Sequence, residues 1–345
     1  MEIVDLRSDT VTHPTPAMRQ AMAQAEVGDD VYGEDPTVNR LQEMAAEKVG
    51  KEAGLLVASG TMGNLAGILA HCQRGDEAIL GNKSHTFLFE AGGVAALGGV
   101  HTCQLPNQED GTMRLDDIRS AIRSQDDHQP ISRLIVLENT HNRCGGVALS
   151  LEYTRSVGDL ARQHNLRLHL DGARLFNAAA ALGVSARSLA EPADSVTFCL
   201  SKALCAPVGS VLCGTQTFIR DARRVRKQLG GGMRQAGVLA AAGIVALETM
   251  VDRLEEDHRR ASLLAAGLGS IAGLVLDPGS PHTNMVFLSL DEALPLVTAH
   301  EVAHRLKEKN ILVGVVGERR FRLVTHYWID DQAVDSTLAA FRQVL

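Results

Sequence analysis

The chain lacks most of the features that would assign it to a special class. Its six cysteines, at 72, 103, 144, 199, 205 and 213, form no C-x-x-C pair, and several sit in apolar runs. That pattern argues against a zinc site or a disulfide frame and fits reduced thiols in a cytoplasmic protein; no metal is expected. No apolar run reaches about 18 residues without a polar break, so no membrane span is expected. Met1 to Thr12 carries charges throughout and has no signal-peptide character. There is no basic excess either. The net charge is −7 and no lysine–arginine patch is interleaved with aromatics, so nucleic acid is not an expected partner. Internal repeats and low-complexity segments are missing too. What remains is ordinary soluble composition, 45% hydrophobic and 22% charged. The 345 residues leave room for two domains at about 150 residues each. The 32 glycines, many in pairs and triplets, point to tight turns and close backbone approach.

Periodicity gives an alternation of strands and helices. Apolar strands are expected at 54–58, 77–80, 100–105, 133–137, 166–170, 196–200 and 209–213, most of them separated by helices. Seven such strands make a mostly parallel α/β sheet. One helix is expected after His85, running to Leu97, and one long helical pattern from Gln235 to Gly267, inside which the boundary to a second domain falls. Beyond Gly273 the order strand, helix, two strands, helix describes a small α+β domain, with Arg322 on its last strand.

One stretch, Leu166 to Lys202, carries most of the chemistry. It reads as a strand ending at Asp171-Gly172, a helix, and a strand ending at Ser201-Lys202. Parallel strands joined by a helix bring their carboxyl ends to one edge, where ligands of such sheets bind, so Asp171 and Lys202 should face one crevice. A partly desolvated lysine can attack a carbonyl to form a Schiff base. An aspartate facing a pyridine nitrogen keeps it protonated and makes the ring an electron sink. Together they suggest pyridoxal 5'-phosphate. On its own the pair also fits a surface lysine and a helix-capping aspartate. Upstream, Ser59-Gly60-Thr61 joins a strand to a helix start, the parts of a phosphate cradle, without the Gly-Lys-Ser/Thr of a Walker loop or a dinucleotide GxGxxG. An ordinary capped turn has the same appearance. His85, at another strand-to-helix junction, could stack on a planar ring or simply cap its helix.

Taken together, DLRSDTVT, GDDVYGEDPTV, SGTMGNL, HTFLFEAGG, LENTH, HLDGARLFNA, CLSKALCAPVGS, GGGMRQAG and RLVTH closely resemble the low-specificity L-threonine aldolases, pyridoxal-phosphate enzymes of fold type I. The resemblance spans nearly the whole chain. It implies a large cofactor-binding domain at 31–245, a small C-terminal α+β domain at 246–345 and an N-terminal arm, residues 1–30, packing with the small domain. It also implies roles. Lys202 is the Schiff-base lysine, Asp171 the pyridinium partner, Gly60 and Thr61 the phosphate cradle, and His85 the stacking ring. Ser8, Arg174 and Arg322 match amino-acid carboxylate contacts, a fork suited to bidentate binding. Tyr32 and Arg234 match residues that reach across from a second subunit, in a homodimer or a dimer-of-dimers tetramer, with Arg234 on the cofactor phosphate. His128 aligns with a histidine that contacts the substrate hydroxyl, in a run, DDHQPISR, that is shorter or shifted relative to the family's. The activity implied is retro-aldol cleavage of L-threonine and L-allo-threonine to glycine and acetaldehyde. Either His85 or His128 is the candidate base. A β-eliminating lyase or an aminotransferase on the same fold is the alternative reading.

Overall fold

The computed structural model describes residues 3–294 and 297–345. The chain opens with β1 (Val4–Leu6), α1 (Pro16–Ala23), α2 (Pro36–Val49), β2 (Ala53–Val57), α3 (Gly60–His71) and β3 (Asp76–Gly81). Two one-turn helices follow, α4 (His85–Leu88) and α5 (Gly93–Ala96), then β4 (His101–Leu105), α6 (Leu115–Ala121), β5 (Ile131–Glu138) and α7 (Leu151–Gln163). Next come β6 (Arg167–Asp171), α8 (Leu175–Leu182), α9 (Ala186–Ala190), β7 (Ser195–Cys199), β8 (Ser210–Gly214), α10 (Gln216–Gln228) and α11 (Gly237–Thr249). The rest is α12 (Leu254–Gly269), β9 (Leu274–Leu276), β10 (Met285–Leu290), α13 (Ala299–Lys307), β11 (Ile311–Gly317), β12 (Arg320–Val324) and α14 (Asp331–Val344).

Two compact units result: Pro14–Val251, and Met1–His13 together with Asp252–Leu345. The larger is built on a seven-stranded sheet in the order β2-β8-β7-β6-β5-β3-β4. Only β8 runs against its neighbours; every other pairing is parallel. All residues of β7 and β8 are buried, as expected for central strands covered on both faces. Leu65 and Ile68 of α3 pack with Ala78, Leu80, Leu134 and Val136 of β3 and β5, while Ala66 joins Leu55, Val57 and Leu212 under Phe218 and Ala222 of α10. Helix starts follow local chemistry. Asp35 caps α2 with Pro36 at its first turn, and Gly50 ends it in the left-handed conformation. The smaller unit has a five-stranded sheet, β1-β11-β12-β10-β9, with Leu264, Leu268, Val286, Leu288, Phe321 and Phe341 in its core.

Several sequence expectations are corrected. The helix expected from His85 to Leu97 is two separate turns. The break lies where Ala91 and Gly92 take positive φ, 54° and 66°, a region that a continuous helix does not visit. The long pattern from Gln235 to Gly267 is two helices parted at residues 250–253, and the unit boundary falls in that gap. The N-terminal arm ends at His13 rather than at residue 30, because α1 packs against α11 in the larger unit. The short strand β9 and the helix α9 were not expected.

Candidate active site

Strand ends of the large sheet bring the polar residues together. In register, Glu138 at the end of β5 lies beside Asp171 at the end of β6, and Asp171 beside Thr197 of β7. Lys202 follows the end of β7 and His85 the end of β3. Strand β2 runs antiparallel to β8, and β8 antiparallel to β7, so β2 shares the sense of β7 and carries Gly60 to the same edge.

Asp171 is 2% exposed. Its Oδ1 accepts from the Ala173 N–H at 3.1 Å and its Oδ2 from Asn64 Nδ2 at 2.8 Å. The same Asn64 nitrogen donates to Glu90 Oε1 at 2.9 Å, and that oxygen meets His85 Nδ1 at 2.9 Å. Ligating atoms of His85, Glu90 and Asp171 all lie within 4.8 Å of one another. The backbone N–H of His85 donates to Glu138 Oε2 at 2.6 Å, and Glu138 Oε1 accepts from the Asn142 N–H at 2.9 Å. Three carboxyl groups therefore converge where little water reaches. Burial, reinforced by the charge of Asp171, pushes Glu138 up to about 7 and raises Glu90 as well. The hydrogen bond that His85 Nδ1–H donates to Glu90 holds His85 above the ordinary histidine range against its partial burial, and the charge of Lys202 opposes the shift.

Lys202 borders a narrow cleft with Ala173, Arg174, Phe176, Asn177, Cys199 and Leu204. Arg174 is buried at the N-cap of α8. At the start of α3, Ser59 Oγ accepts from the Met62 N–H and the Ser59 carbonyl from the Gly63 N–H. The N–H groups of Gly60 and Thr61 are the first-turn donors outside that cap. A Cβ on Gly60 would sit 3.0 Å from Cys199 Sγ, so the helix start presses directly on β7. Ser84 Oγ, Thr86 Oγ1, Glu90 Oε2, Thr140 Oγ1 and both ring nitrogens of His141 are buried without a hydrogen-bond partner. All of them follow β3 or β5.

The remaining expected site residues lie elsewhere. Tyr32 is 75% exposed, and the Arg234 guanidinium lies 6.0 Å from its ring centroid while bonding Asp29 Oδ2 at 2.8 Å. His128 stands apart on the turn after α6; its ring is 93% exposed and paired with Asp126. The structure therefore does not bring His128 to the cluster at Asp171 within the chain. Ser8 and Arg322 belong to the smaller unit. Ser8 caps a 3-10 turn at Asp9–Val11, and Arg322 Nη2 donates to the Arg7 carbonyl at 3.1 Å. Sequence reasoning missed Asn64, Glu90, Glu138 and His141, although each stands in a stretch already singled out: SGTMGNL, HTFLFEAGG and LENTH.

Comparison with known proteins gives the family and the fold. A family model for beta-eliminating lyases matches residues 5–293. Low-specificity L-threonine aldolase 1 of Arabidopsis thaliana is 50% identical over 348 residues, covering 100% of this chain and 97% of its own. The chain belongs to the threonine aldolase family. Threonine aldolases are lyases, and their fold is the one seen here. A Leishmania major threonine aldolase structure, 22% identical, superimposes with a TM-score of 0.84 over 99% of this chain and 100% of that one. A structure of SPT holding a PLP internal aldimine, 16% identical, does so at 0.76 over 100% of this chain and 87% of that one. Both likenesses give the fold alone, fold type I. Among the described residues no helix is long and apolar enough to cross a membrane.

Proposed function

We propose that this threonine aldolase is a pyridoxal-phosphate enzyme that cleaves L-threonine and L-allo-threonine to glycine and acetaldehyde. The observation that carries the reading is the buried carboxylate of Asp171 at the same sheet edge as Lys202, with His85 beside it. The residues present fit the cofactor. Asp171 suits a pyridine N–H, the N–H groups of Gly60 and Thr61 suit a phosphate at a helix start, and Lys202 suits the aldehyde carbon. The orphaned buried polar atoms after β3 and β5 are what a site for a polar ligand leaves behind. When bound, the cofactor supplies an electron sink for the pair released as a Cα–Cβ bond breaks.

The chain's own residues do the rest. Lys202 would hold the cofactor through its amine. Arg174 takes the substrate carboxylate, which fixes the orientation of the amino acid; Ser8 and Arg322 match the same role by resemblance to the family. His85 receives the proton of the β-hydroxyl. Its Nδ1 faces Glu90, which leaves Nε2 as the accepting atom, and the carboxylate stabilises the imidazolium that forms. The hydroxyl oxygen becomes the aldehyde oxygen, acetaldehyde leaves, and Cα gains a proton to give glycine. Of the two histidines considered from sequence, His85 is the better base, because His128 is exposed on its own turn. Tyr32 and Arg234 serve the site of a neighbouring subunit in a homodimer or dimer of dimers.

A β-eliminating lyase acting on the same substrates would release a 2-oxo acid and ammonia. Incubating the cofactor-loaded protein with L-threonine and with L-allo-threonine tests the choice. Acetaldehyde and glycine from both support the aldolase, whereas 2-oxobutyrate with ammonia and no acetaldehyde contradicts it.

A further inference from the structure

Asp171 terminates a line of buried hydrogen bonds that begins at the far end of α3. The face of α3 turned to the sheet is made narrow. A Cβ on Gly63 would lie 2.5 Å from Thr197 Cγ2, and one on Gly67 would lie 3.0 Å from His169 Cε1. Between and beyond these glycines, Asn64 and His71 project onto the same strands. Asn64 Oδ1 meets His169 Nε2 at 3.2 Å, and His169 Nδ1 meets Ser195 Oγ at 2.8 Å. Ser195 is the register partner of His169 on β7, and its Oγ also meets His71 Nε2 at 2.8 Å. Asn64, His169 and Ser195 are at most 2% exposed.

The direction of every proton along this line follows from its acidic end. Asn64 faces two carboxyl groups, Asp171 and Glu90, and one amide nitrogen can supply a hydrogen to each. The Asn64 carbonyl must then face His169, so Nε2 of His169 carries its proton. A neutral His169 accepts at Nδ1, which makes Ser195 the donor there. The Ser195 oxygen is left to accept from His71, protonated at Nε2. Burial keeps both rings neutral, holding His169 to about 3 and His71 to about 4. Each group in the line is satisfied only by this arrangement.

We propose that His169 is a positioning residue for the cofactor-binding carboxylate: backed by Ser195 and His71, it locks the Asn64 amide in the orientation that donates to Asp171 and Glu90 together. The inference rests on the reading that Asp171 faces the pyridine nitrogen of pyridoxal phosphate. Without the His169 N–H, the two carboxyl groups alone hold that orientation, and the buried Asn64 carbonyl loses a donor. A flipped Asn64 turns its carbonyl toward both carboxyl groups, and one of them takes up a proton to relieve the repulsion. An Asp171 that is protonated or turned away no longer favours a protonated ring. The other ionisable groups around Asp171 are His85 on α4, Glu90 after it, Glu138 at the end of β5 and His141 beyond it.

The test uses the cofactor-loaded protein and two readouts other than turnover: the equilibrium affinity for pyridoxal phosphate and the pH dependence of its visible absorption. His169→Leu removes donor and acceptor, whereas His169→Gln keeps one of each. The leucine variant is expected to lose roughly tenfold in affinity, the size of one lost hydrogen bond to a charged network, and to shift the absorption midpoint. The glutamine variant is expected to recover most of both. If His169→Leu does not fold, Ser195→Ala decides the matter, because removing the O–H that faces Nδ1 frees His169 to change tautomer; a smaller shift in the same direction is expected. A folded leucine variant with wild-type affinity and midpoint overturns the proposal, as does a glutamine variant as damaged as the leucine one. A colourless wild-type protein that does not bind pyridoxal phosphate fails at an earlier point, sinking the cofactor reading itself.

Discussion

At the scale of single residues, the His85–Glu90 pair couples a base to a buried carboxyl group. Glu90 raises the basicity of His85 through one 2.9 Å hydrogen bond, so its removal should be visible as a displaced titration. Glu90→Gln lowers the His85 pKa. The acid limb of kcat/KM, set by deprotonation of His85, should therefore move to lower pH, while the rate on the plateau falls because a less basic imidazole accepts a proton less readily. A limb that stays in place would separate Glu90 from the proton transfer. Buried histidines have a second, global consequence. Burial holds His71, His141 and His258 down to about 4 and His169 to about 3, below the 6.5 of an unfolded chain. Folding thus keeps these groups neutral, and the stability tied to them is present above pH 6.5 and lost as pH falls toward 4. Each contributes a slope of up to about 1.4 kcal/mol per pH unit in that window. Glu138, raised to about 7, works in the opposite direction, as do Glu90 and Asp257, which burial also raises, and together they offset part of the slope. Calorimetric melting should show stability falling between pH 6.5 and 4.5; a flat or rising profile would contradict the neutral assignment.

At the scale of elements, α3 is the piece whose fit to the sheet matters most. Its glycines at 60, 63 and 67 let the helix lie close on β7, β6 and β8, and only there can Asn64 reach Asp171. Gly63→Ala places a methyl 2.5 Å from Thr197 Cγ2 and 3.3 Å from Val57 Cγ2, inside a packed layer. It should cost about 1–3 kcal/mol, read as a lower denaturation midpoint at unchanged slope. A variant as stable as the wild type would show that α3 can lift off without penalty. The same elements explain what was legible in the sequence. The seven strands were readable because buried parallel strands are short apolar runs ending in polar turns, and LRLHL-D and SVTFC are plain examples. Asp171 and Lys202 followed from that topology. The break at residues 250–253 was not readable, because helical composition continues through it and only the local backbone departs; the glycine pair at 92–93 does mark the other break. Glu90 and Asn64 were missed for a related reason. Each looks like an ordinary polar residue beside a more conspicuous one, and its role appears only when α3, α4 and β6 meet.

At the scale of the whole molecule, Tyr32 and Arg234 are the features that one chain leaves unexplained. They lie together on an exposed surface of the larger unit, reached through the Gly230–Gly232 turn. In the proposed dimer, a second subunit would give them a use. Mixing Lys202→Ala protein with Arg234→Ala protein, each inactive alone, under conditions that exchange subunits should restore activity, since a mixed dimer then contains one site with both wild-type residues. If Arg234 acts only within its own chain, every site in the mixed dimer lacks one of the two and no activity returns.

The central claim is that Lys202, at the sheet edge with Asp171, carries an aldol cleavage. It is tested most directly by following glycine and acetaldehyde together from L-allo-threonine, in the wild-type protein and in Lys202→Ala, both supplied with pyridoxal phosphate. The account predicts equal amounts of the two products from the wild type, and from the variant neither product nor the visible absorption of a lysine-bound cofactor. A variant that keeps both its colour and its turnover, or a wild type that consumes the substrate without releasing acetaldehyde, would contradict it.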